Sequence, residues 1–348
     1  MHIRRVLSLW VAAVFLAGTS SMLAQNAQKD DKKRNKQEQQ DIEALAKLVD
    51  GVSMGQQQAP ADVTVDWESA HFVKGQDGKT YIPFTLNIDR TKLSTPGVVM
   101  FVRAVSKDAA AATATGTAGE KKDDDKKKNE KEYPWENVHF VDVPEDGKVS
   151  RAMALPGGNY ELFVGVKEKG TGDRKQQAKT GLLRQDVTIP NFASADLNTS
   201  SIIVAEAVEP VQSAMTNEQQ QENPYTFGQM KIVPSKDPKF KKEGELQVVF
   251  WIYGATQDAA KKPDVEIQYN FHQKTAEGEK YFNKTAPQQL NATTLPPAFD
   301  MAAGHQLPGS LVVPLASFPA GDYRLEIKIT DKPSGKTLTR DVMFSVVG

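Results

Sequence analysis

The chain is predicted to be all-β: two tandem immunoglobulin-like or fibronectin-III-like antiparallel β-sandwiches following an export signal and a short N-terminal helix. Three observations predict this. LPGGNYELFVGVKEK, from Leu155, and FPAGDYRLEIKITDK, from Phe318, share the pattern Pro-x-Gly-x-Tyr-x-Leu. The copies lie roughly 160 residues apart, a spacing of domain size and far too long for a solenoid repeat. Each is a turn running into a strand whose side chains alternate with period two. Tyr323, Leu325, Ile327 and Ile329 point one way, and Arg324, Glu326, Lys328 and Thr330 the other, the pattern of an antiparallel sheet with one wet face. Finally, apolar runs bounded by Gly, Pro, Asn and Asp recur at intervals typical of sandwiches.

Taken in order, MHIRRVLSLWVAAVFLAGTSSMLAQ has the layout of a secretory signal: a positive start, an apolar core at Val6–Gly18 and small residues before a cleavage point after Ala24. As a helix this core rises only about 20 Å, too short for a bilayer. The signal peptide is assigned to 1–24, and the mature protein is expected in the periplasm or outside the cell. No transmembrane segment is expected in the mature chain. Residues 25–61 are a polar leader and one helix. Asn35 and Glu38 suit a cap, and Ile42, Leu45, Ala46 and Val49 share a face opposite Asp41, Glu43, Lys47 and Asp50. Because that polar face is not basic, a helix packed on the first domain or a spacer is expected, not a membrane-surface helix.

The first sandwich is assigned to 62–192. Val63–Phe72 and Thr80–Ile88 flank Asp77-Gly78, a strong hairpin signal. Gly97–Val105, Val138–Val143, Val149–Leu155, Asn159–Lys167 and Leu182–Ile189 supply the remaining strands. Between them lies a low-complexity insertion, Lys107–Glu132, assigned as a disordered loop because it cannot bury enough apolar surface to order itself. The second sandwich is assigned to 193–348, with strands at Ser201–Val208, Gln229–Val233, Leu246–Tyr253, Val265–His272, Lys280–Asn283, Ser310–Leu315, Tyr323–Thr330 and Leu338–Val347. A Gln/Asn-rich loop precedes Phe227, Pro287–Pro308 is an irregular crossover, and helical periodicity is absent from this half.

Composition narrows the chemistry. The chain has no cysteine, which excludes disulfides, a thiolate nucleophile and cysteine-bound metal. A formal charge of −1 offers no global field for nucleic acid. Gly78-Lys79-Thr80 and Gly335-Lys336-Thr337 resemble phosphate-loop fragments, but strands follow both, so they read as hairpin turns. Asp196, Asn198 and Ser200 mimic an Asp-x-Ser-x-Ser metal site without the doubly wound sheet it needs. His71, His139, His272 and His305 have no ligand spacing; His71 and His139 are expected on strands beside the core. No nucleophile elbow is present. Trp67, Trp135 and Trp251 are read as core residues before sugar platforms. Tyr160 and Tyr323 suit a tyrosine corner, a structural role.

ALAKLVDGVSMGQQQAPADV, HFVKGQDGKTYIPFTLNID, NTSSIIVAEAVEP and FPAGDYRLEIKITDKPSGKT together resemble uncharacterised exported bacterial proteins. The second half is similar to the C-terminal β regions of secreted proteins carrying a von Willebrand A-related or GWxTD domain. The A-type domain itself and the Gly-Trp-x-Thr-Asp signature are missing here, so no functional residue carries over. The resemblance implies an exported, β-rich, non-catalytic accessory module. No catalytic, cofactor-binding or metal residues and no cofactors are assigned. The expected partner is another envelope or secreted protein or a cell-surface polymer, contacted through 107–132, 215–227 or 287–308. The alternative is a carbohydrate-active or other hydrolase with paired carboxylates at one end of a sandwich.

Overall fold

The computed structural model describes residues 36–108, 133–169, 177–213, 215–259 and 261–348. The signal segment, most of the leader and nearly all of the 107–132 insertion lie outside these residues. The described residues divide into two compact units. The first gathers the chain up to Ser194 together with Thr216–Pro224, and the second gathers Ala195–Met215 with Tyr225–Gly348.

The first unit opens with helix α1 (Lys36–Ser53) and continues through β1 (Val65–Ala70), β2 (Val73–Lys74), β3 (Thr80–Ile88), β4 (Gly97–Ser106), β5 (Trp135–Asp142), β6 (Lys148–Leu155), β7 (Gly158–Glu168) and β8 (Thr180–Ile189). β1, β3 and β6 lie side by side with β2 also on β3, and the second sheet runs β5-β4-β7-β8. Inward residues of both sheets, among them Phe84, Leu86, Met100, Val102, Leu162 and Val164, form one core. The β2–β3 hairpin turns at Asp77 and Gly78, both at positive φ (53° and 71°), as an Asp-Gly hairpin turn requires. This turn chemistry accounts for the Gly-Lys-Thr triplet there.

The second unit contains β9 (Asn198–Thr199), β10 (Ile203–Pro210), β11 (Thr226–Phe227), β12 (Met230–Pro234), β13 (Lys239–Lys241), β14 (Glu245–Tyr253), β15 (Val265–Thr275), β16 (Gly278–Lys284), β17 (Gln288–Leu290), β18 (Leu307–Pro314), β19 (Gly321–Asp331) and β20 (Lys336–Val347). One sheet runs β11-β12-β10-β14-β18 and the other β13-β20-β19-β15-β16. Among the described strands only β13 pairs in parallel, with β20. The core is rich in rings: Phe271, Phe318, Phe282 and Phe344 all meet Tyr323 or one another.

The two units share a strand plan. The order β1-β3-β6 in the first corresponds to β10-β14-β18 in the second, and β5-β4-β7-β8 corresponds to β16-β15-β19-β20. The repeated motif occupies the same place in both, the turn into β7 and into β19. Gly158 and Gly321 adopt φ of 153° and 148°, a region essentially closed to residues with a Cβ. That conformation is why each copy keeps a glycine two residues before the tyrosine.

Several expectations are corrected. The Gln/Asn-rich stretch is not an irregular loop: it holds a short helix, α2 (Asn217–Glu222), and Thr216 and Gln219 form a reciprocal capping box. One and a half turns are too few to show a 3.6-residue period, but the Thr-x-x-Gln cap was readable. Pro287–Pro308 is partly regular, because β17 pairs with β15. The following turns are tied down by the Lys262 ammonium, which donates to the carbonyls of Pro297 and Phe299.

Candidate functional site

The residues that the sequence marks most strongly serve the fold. Tyr323 is buried and donates through its hydroxyl to the Pro319 carbonyl at 2.7 Å, a tyrosine corner. The Tyr160 ring is buried in the equivalent place, and burial together with the charge of Asp108 raises its phenol above the ordinary range. Eight residues beyond each tyrosine stands a buried acid, Glu168 and Asp331, at the ends of β7 and β19. Glu168 accepts from the backbone N–H groups of Ser94 (2.5 Å) and Thr95 (2.9 Å). Burial pushes its carboxyl up, but the Thr95 and Ser94 bonds outweigh that and hold it low. Asp331 accepts from Thr256 N–H at 3.1 Å and from the Ser334 hydroxyl. Each therefore pins the loop that leads into its sheet's neighbouring strand. The shared acid was visible in VKEK and ITDK, one step past the point where motif comparison stopped.

The other marked residues disperse. Trp251 is buried against Phe227, with ring centroids 4.6 Å apart. Trp67 stacks on Phe84 at 5.1 Å, and Trp135 begins β5. Asn198 and Thr199 accept from Arg340, and the Ser200 hydroxyl accepts from Trp251 N–H. The Asp196–Ser200 segment is thus an anchor for an edge strand. His139 is buried in β5, and burial, assisted by the Arg151 charge, lowers it to about 3. His71, in the link between β1 and β2, is lowered by burial to about 4. Among the described residues no group of three or more His, Asp or Glu side chains is gathered to hold a metal ion. No described helix is long and apolar enough to cross a membrane.

The sharpest contrast lies on the outer face of the four-stranded β5-β4-β7-β8 sheet and its counterpart. In the first unit this face is apolar, with Val99, Phe101 and Phe163 packed under Leu45, Val49 and Val52 of α1. Gly165 makes the close approach possible, because a Cβ there would stand 3.1 Å from Leu45 Cδ2. Two acids expected on the wet side of α1 face the sheet instead. Asp41 is buried and pairs with Lys167, and Asp50 pairs with Arg103 at 2.6 Å. Arg103 also holds Glu136 at 2.6 Å and lies 3.9 Å from the centroid of the Tyr133 ring. A buried guanidinium is thereby neutralised on both sides and stacked, the arrangement that makes its burial tolerable.

In the second unit the same face carries Glu266, Gln268, Asn270 and His272 on β15 and Arg324, Glu326, Lys328 and Thr330 on β19, in the register that opposes His272 to Arg324. Arg324 donates to Glu279 through Nε (2.9 Å) and Nη2 (2.7 Å), and through Nη1 to Asp341 (2.6 Å) and Glu326 (3.3 Å). Those bonds, Glu279 first, raise the guanidinium further, and Glu279 is held low in turn. Tyr281 and Met343 flank the cluster at 58% and 48% exposure. Register places Tyr281 opposite His272 and Met343 opposite Arg324. The result is a row across four strands: Tyr281, His272, Arg324, Met343.

Of the loops expected to make contacts, 107–132 is described only at Lys107 and Asp108. Lys107 pairs with Asp186, and Asp108 is held low by the backbone N–H and amide of Asn159. No family model and no curated protein matches the chain. Among solved structures it is similar to trypsin-activated alpha-2-macroglobulin from Escherichia coli, at 12% identity and a TM-score of 0.23, covering 84% of this chain and 17% of that one. Salmonella alpha-2-macroglobulin reacted with methylamine matches at 12% identity and TM-score 0.20, covering 83% and 17%. The elastase-activated Escherichia coli protein matches at 11% and 0.22, covering 83% and 22%. The chain thus spans about a fifth or less of the length of these structures.

Proposed function

We propose that this is an exported, non-catalytic binding or scaffolding protein of the cell envelope, a module of the kind found in secreted von Willebrand A-related and GWxTD-domain proteins. The apolar Val6–Gly18 stretch with small residues before Ala24 supports export. The observation that carries the non-catalytic reading is the employment of the repeated residues. Gly158 and Gly321 make turns, Tyr160 and Tyr323 fill cores, and Glu168 and Asp331 tie loops. What differs between the units is the character of one sheet face, apolar under α1 in the first and charged in the second.

The hydrolase alternative requires two acids about 5–10 Å apart in an aromatic-lined cleft. Trp67 is instead stacked on Phe84, and Glu136 beside Trp135 is paired to Arg103. The test uses the mature chain purified from the envelope fraction. Metal analysis and a panel of glycoside and peptide substrates should give no stoichiometric metal and no turnover above a heat-treated control. Chemical crosslinking in the same fraction should give a discrete adduct with an envelope component. Stoichiometric metal, enzyme-level turnover or absence of any adduct overturns the proposal.

A further inference from the structure

We propose that the cavity beside Tyr160, where β4 and β8 end and β7 begins, binds a neutral sugar of a cell-surface polymer. The proposal rests on the binding-module reading and names a ligand class for it. The cavity measures about 370 Å³, and its lining includes Lys107, Asp108, Asn159, Tyr160, Asp186 and Thr188. That size lies within the range of small-molecule sites.

The repeated tyrosine singles this corner out. In the second unit the Tyr323 hydroxyl closes its corner on the Pro319 carbonyl. Tyr160 is 2% exposed, yet its hydroxyl has no hydrogen-bond partner among the described residues. A Cβ at Gly158 would stand 2.9 Å from Asp108 Oδ2 and 3.6 Å from that hydroxyl. The carboxylate and the phenol therefore flank one gap, which the glycine leaves open. A shielded hydroxyl without a partner is costly, and here a ligand oxygen completes it. The second unit lacks this polar set: register puts Met343 where Asp186 stands in the first, and Ser345 closes on Asp322.

The bonds already made in the cavity leave both donors and acceptors over. Lys107 Nζ donates to Asp186 at 2.9 Å, and Thr188 Oγ1 donates to Asn159 Oδ1 at 2.9 Å. Asp108 accepts from the Asn159 backbone N–H at 2.6 Å and from its Nδ2 at 3.0 Å. An ammonium has three donors, an amide two, and a carboxylate about four acceptor sites. Lys107, Asn159 and Tyr160 thus keep donors, while Asp108, Asp186 and Thr188 keep acceptors. The same bonds hold these side chains in place, so little freedom is lost on binding. Charge then decides the class. Lys107 answers Asp186, and neighbouring Glu161 answers Arg184, which leaves Asp108 as the one charge over. An anion meets that carboxylate, and a zwitterion finds no unpaired base. Sugar hydroxyls each donate one bond and accept others, matching interspersed donors and acceptors without burying a charge.

The test follows the full mature chain by NMR while maltotriose, cellotriose and chitotriose are added singly. Inorganic phosphate and glycylglycine serve as anionic and zwitterionic probes. At least one trisaccharide should saturate, shifting the Asn159 side-chain amide and the Thr188 methyl with little dependence on salt. Tyr160→Phe keeps the ring and should weaken that binding about fivefold, as loss of one neutral hydrogen bond does. Asp108→Asn should weaken it at least about tenfold, as loss of a bond to a charged group does. Because the Tyr160 hydroxyl has no partner in the fold, Tyr160→Phe should keep the wild-type melting midpoint. Tyr323→Phe loses its bond to Pro319, so it should melt earlier while binding sugar as wild type does. Failure of all three trisaccharides, shifts confined to other surfaces, or undiminished binding by Tyr160→Phe overturns the proposal. Tighter binding of phosphate or glycylglycine than of any trisaccharide reassigns the cavity and overturns it as well. An envelope adduct from a chain that binds no sugar leaves the module reading standing and removes this site. Sugar binding accompanied by glycoside turnover keeps the site and overturns the non-catalytic reading.

Discussion

The outer face of the β5-β4-β7-β8 sheet and that of β16-β15-β19-β20 are built on the same strand plan and meet opposite fates. In the first unit the position two residues after Phe163 is Gly165, and Leu45 packs on it; in the second the corresponding position is Lys328, exposed. Phe101 in the first register corresponds to Gln268 in the second, and Phe163 to Glu326. Inward positions barely change character, since Leu162, Val164 and Val166 correspond to Leu325, Ile327 and Ile329. The lesson is that the inward alternation specifies the sandwich, while the outward alternation decides whether a face becomes interior or surface.

That comparison can be broken most forcefully at Leu45, which is 1% exposed. Leu45→Ala should lower the unfolding free energy of the first unit by about 2–5 kcal/mol, the range for large-to-small core changes. Lys328→Ala should change the second unit by less than about 0.5 kcal/mol, as surface substitutions do. Urea titrations in a Trp251→Phe background, where fluorescence reports Trp67 and Trp135, check the first value. A shared feature should respond alike in both units. Gly158→Ala and Gly321→Ala should each cost about 1–3 kcal/mol, because both force a Cβ into the same disfavoured backbone region. Unequal costs would mean that the turns are not equivalent.

A separate effect, confined to the first unit, concerns acid. His139 and His71 are lowered to about 3 and about 4, so the unfolded chain takes up protons before the folded chain does. Stability of the first unit is therefore full above about pH 6.5 and declines as pH falls toward those values. The slope is at most about 1.4 kcal/mol per pH unit for each histidine. Repeating the titration at pH 7.5 and 5.0 should show the loss, and His139→Leu should reduce it. An unchanged midpoint at pH 5.0 would contradict the burial of these rings.

Much of this is legible in the sequence. Period-two alternation located the main strands, and the Pro-x-Gly-x-Tyr-x-Leu repeat marked the same turn in both units. Asp77-Gly78 identified its hairpin. The Leu45 and Val49 stripe showed that α1 has a buried side, but alternation cannot say which surface receives it. The apolar outward residues Val99, Phe101 and Phe163 were the missing signal, since a strand buried on both faces reads as a continuous apolar run. Asp41 looked solvated because helical periodicity treats charge as wet; Lys167, distant in sequence, makes it buried. Helix α2 was too short for periodicity. The Tyr281–Met343 row was out of reach because it is assembled by register across four strands, and no local pattern carries register.

Hydrogen exchange after Gly165→Lys, which gives the first sheet the residue of the second, tests the difference between the faces most directly. The account predicts that amides of α1 lose protection while those of β3 and β6, on the opposite sheet, keep theirs. Wild-type protection throughout α1 would show that the helix does not depend on this close approach and would contradict the account.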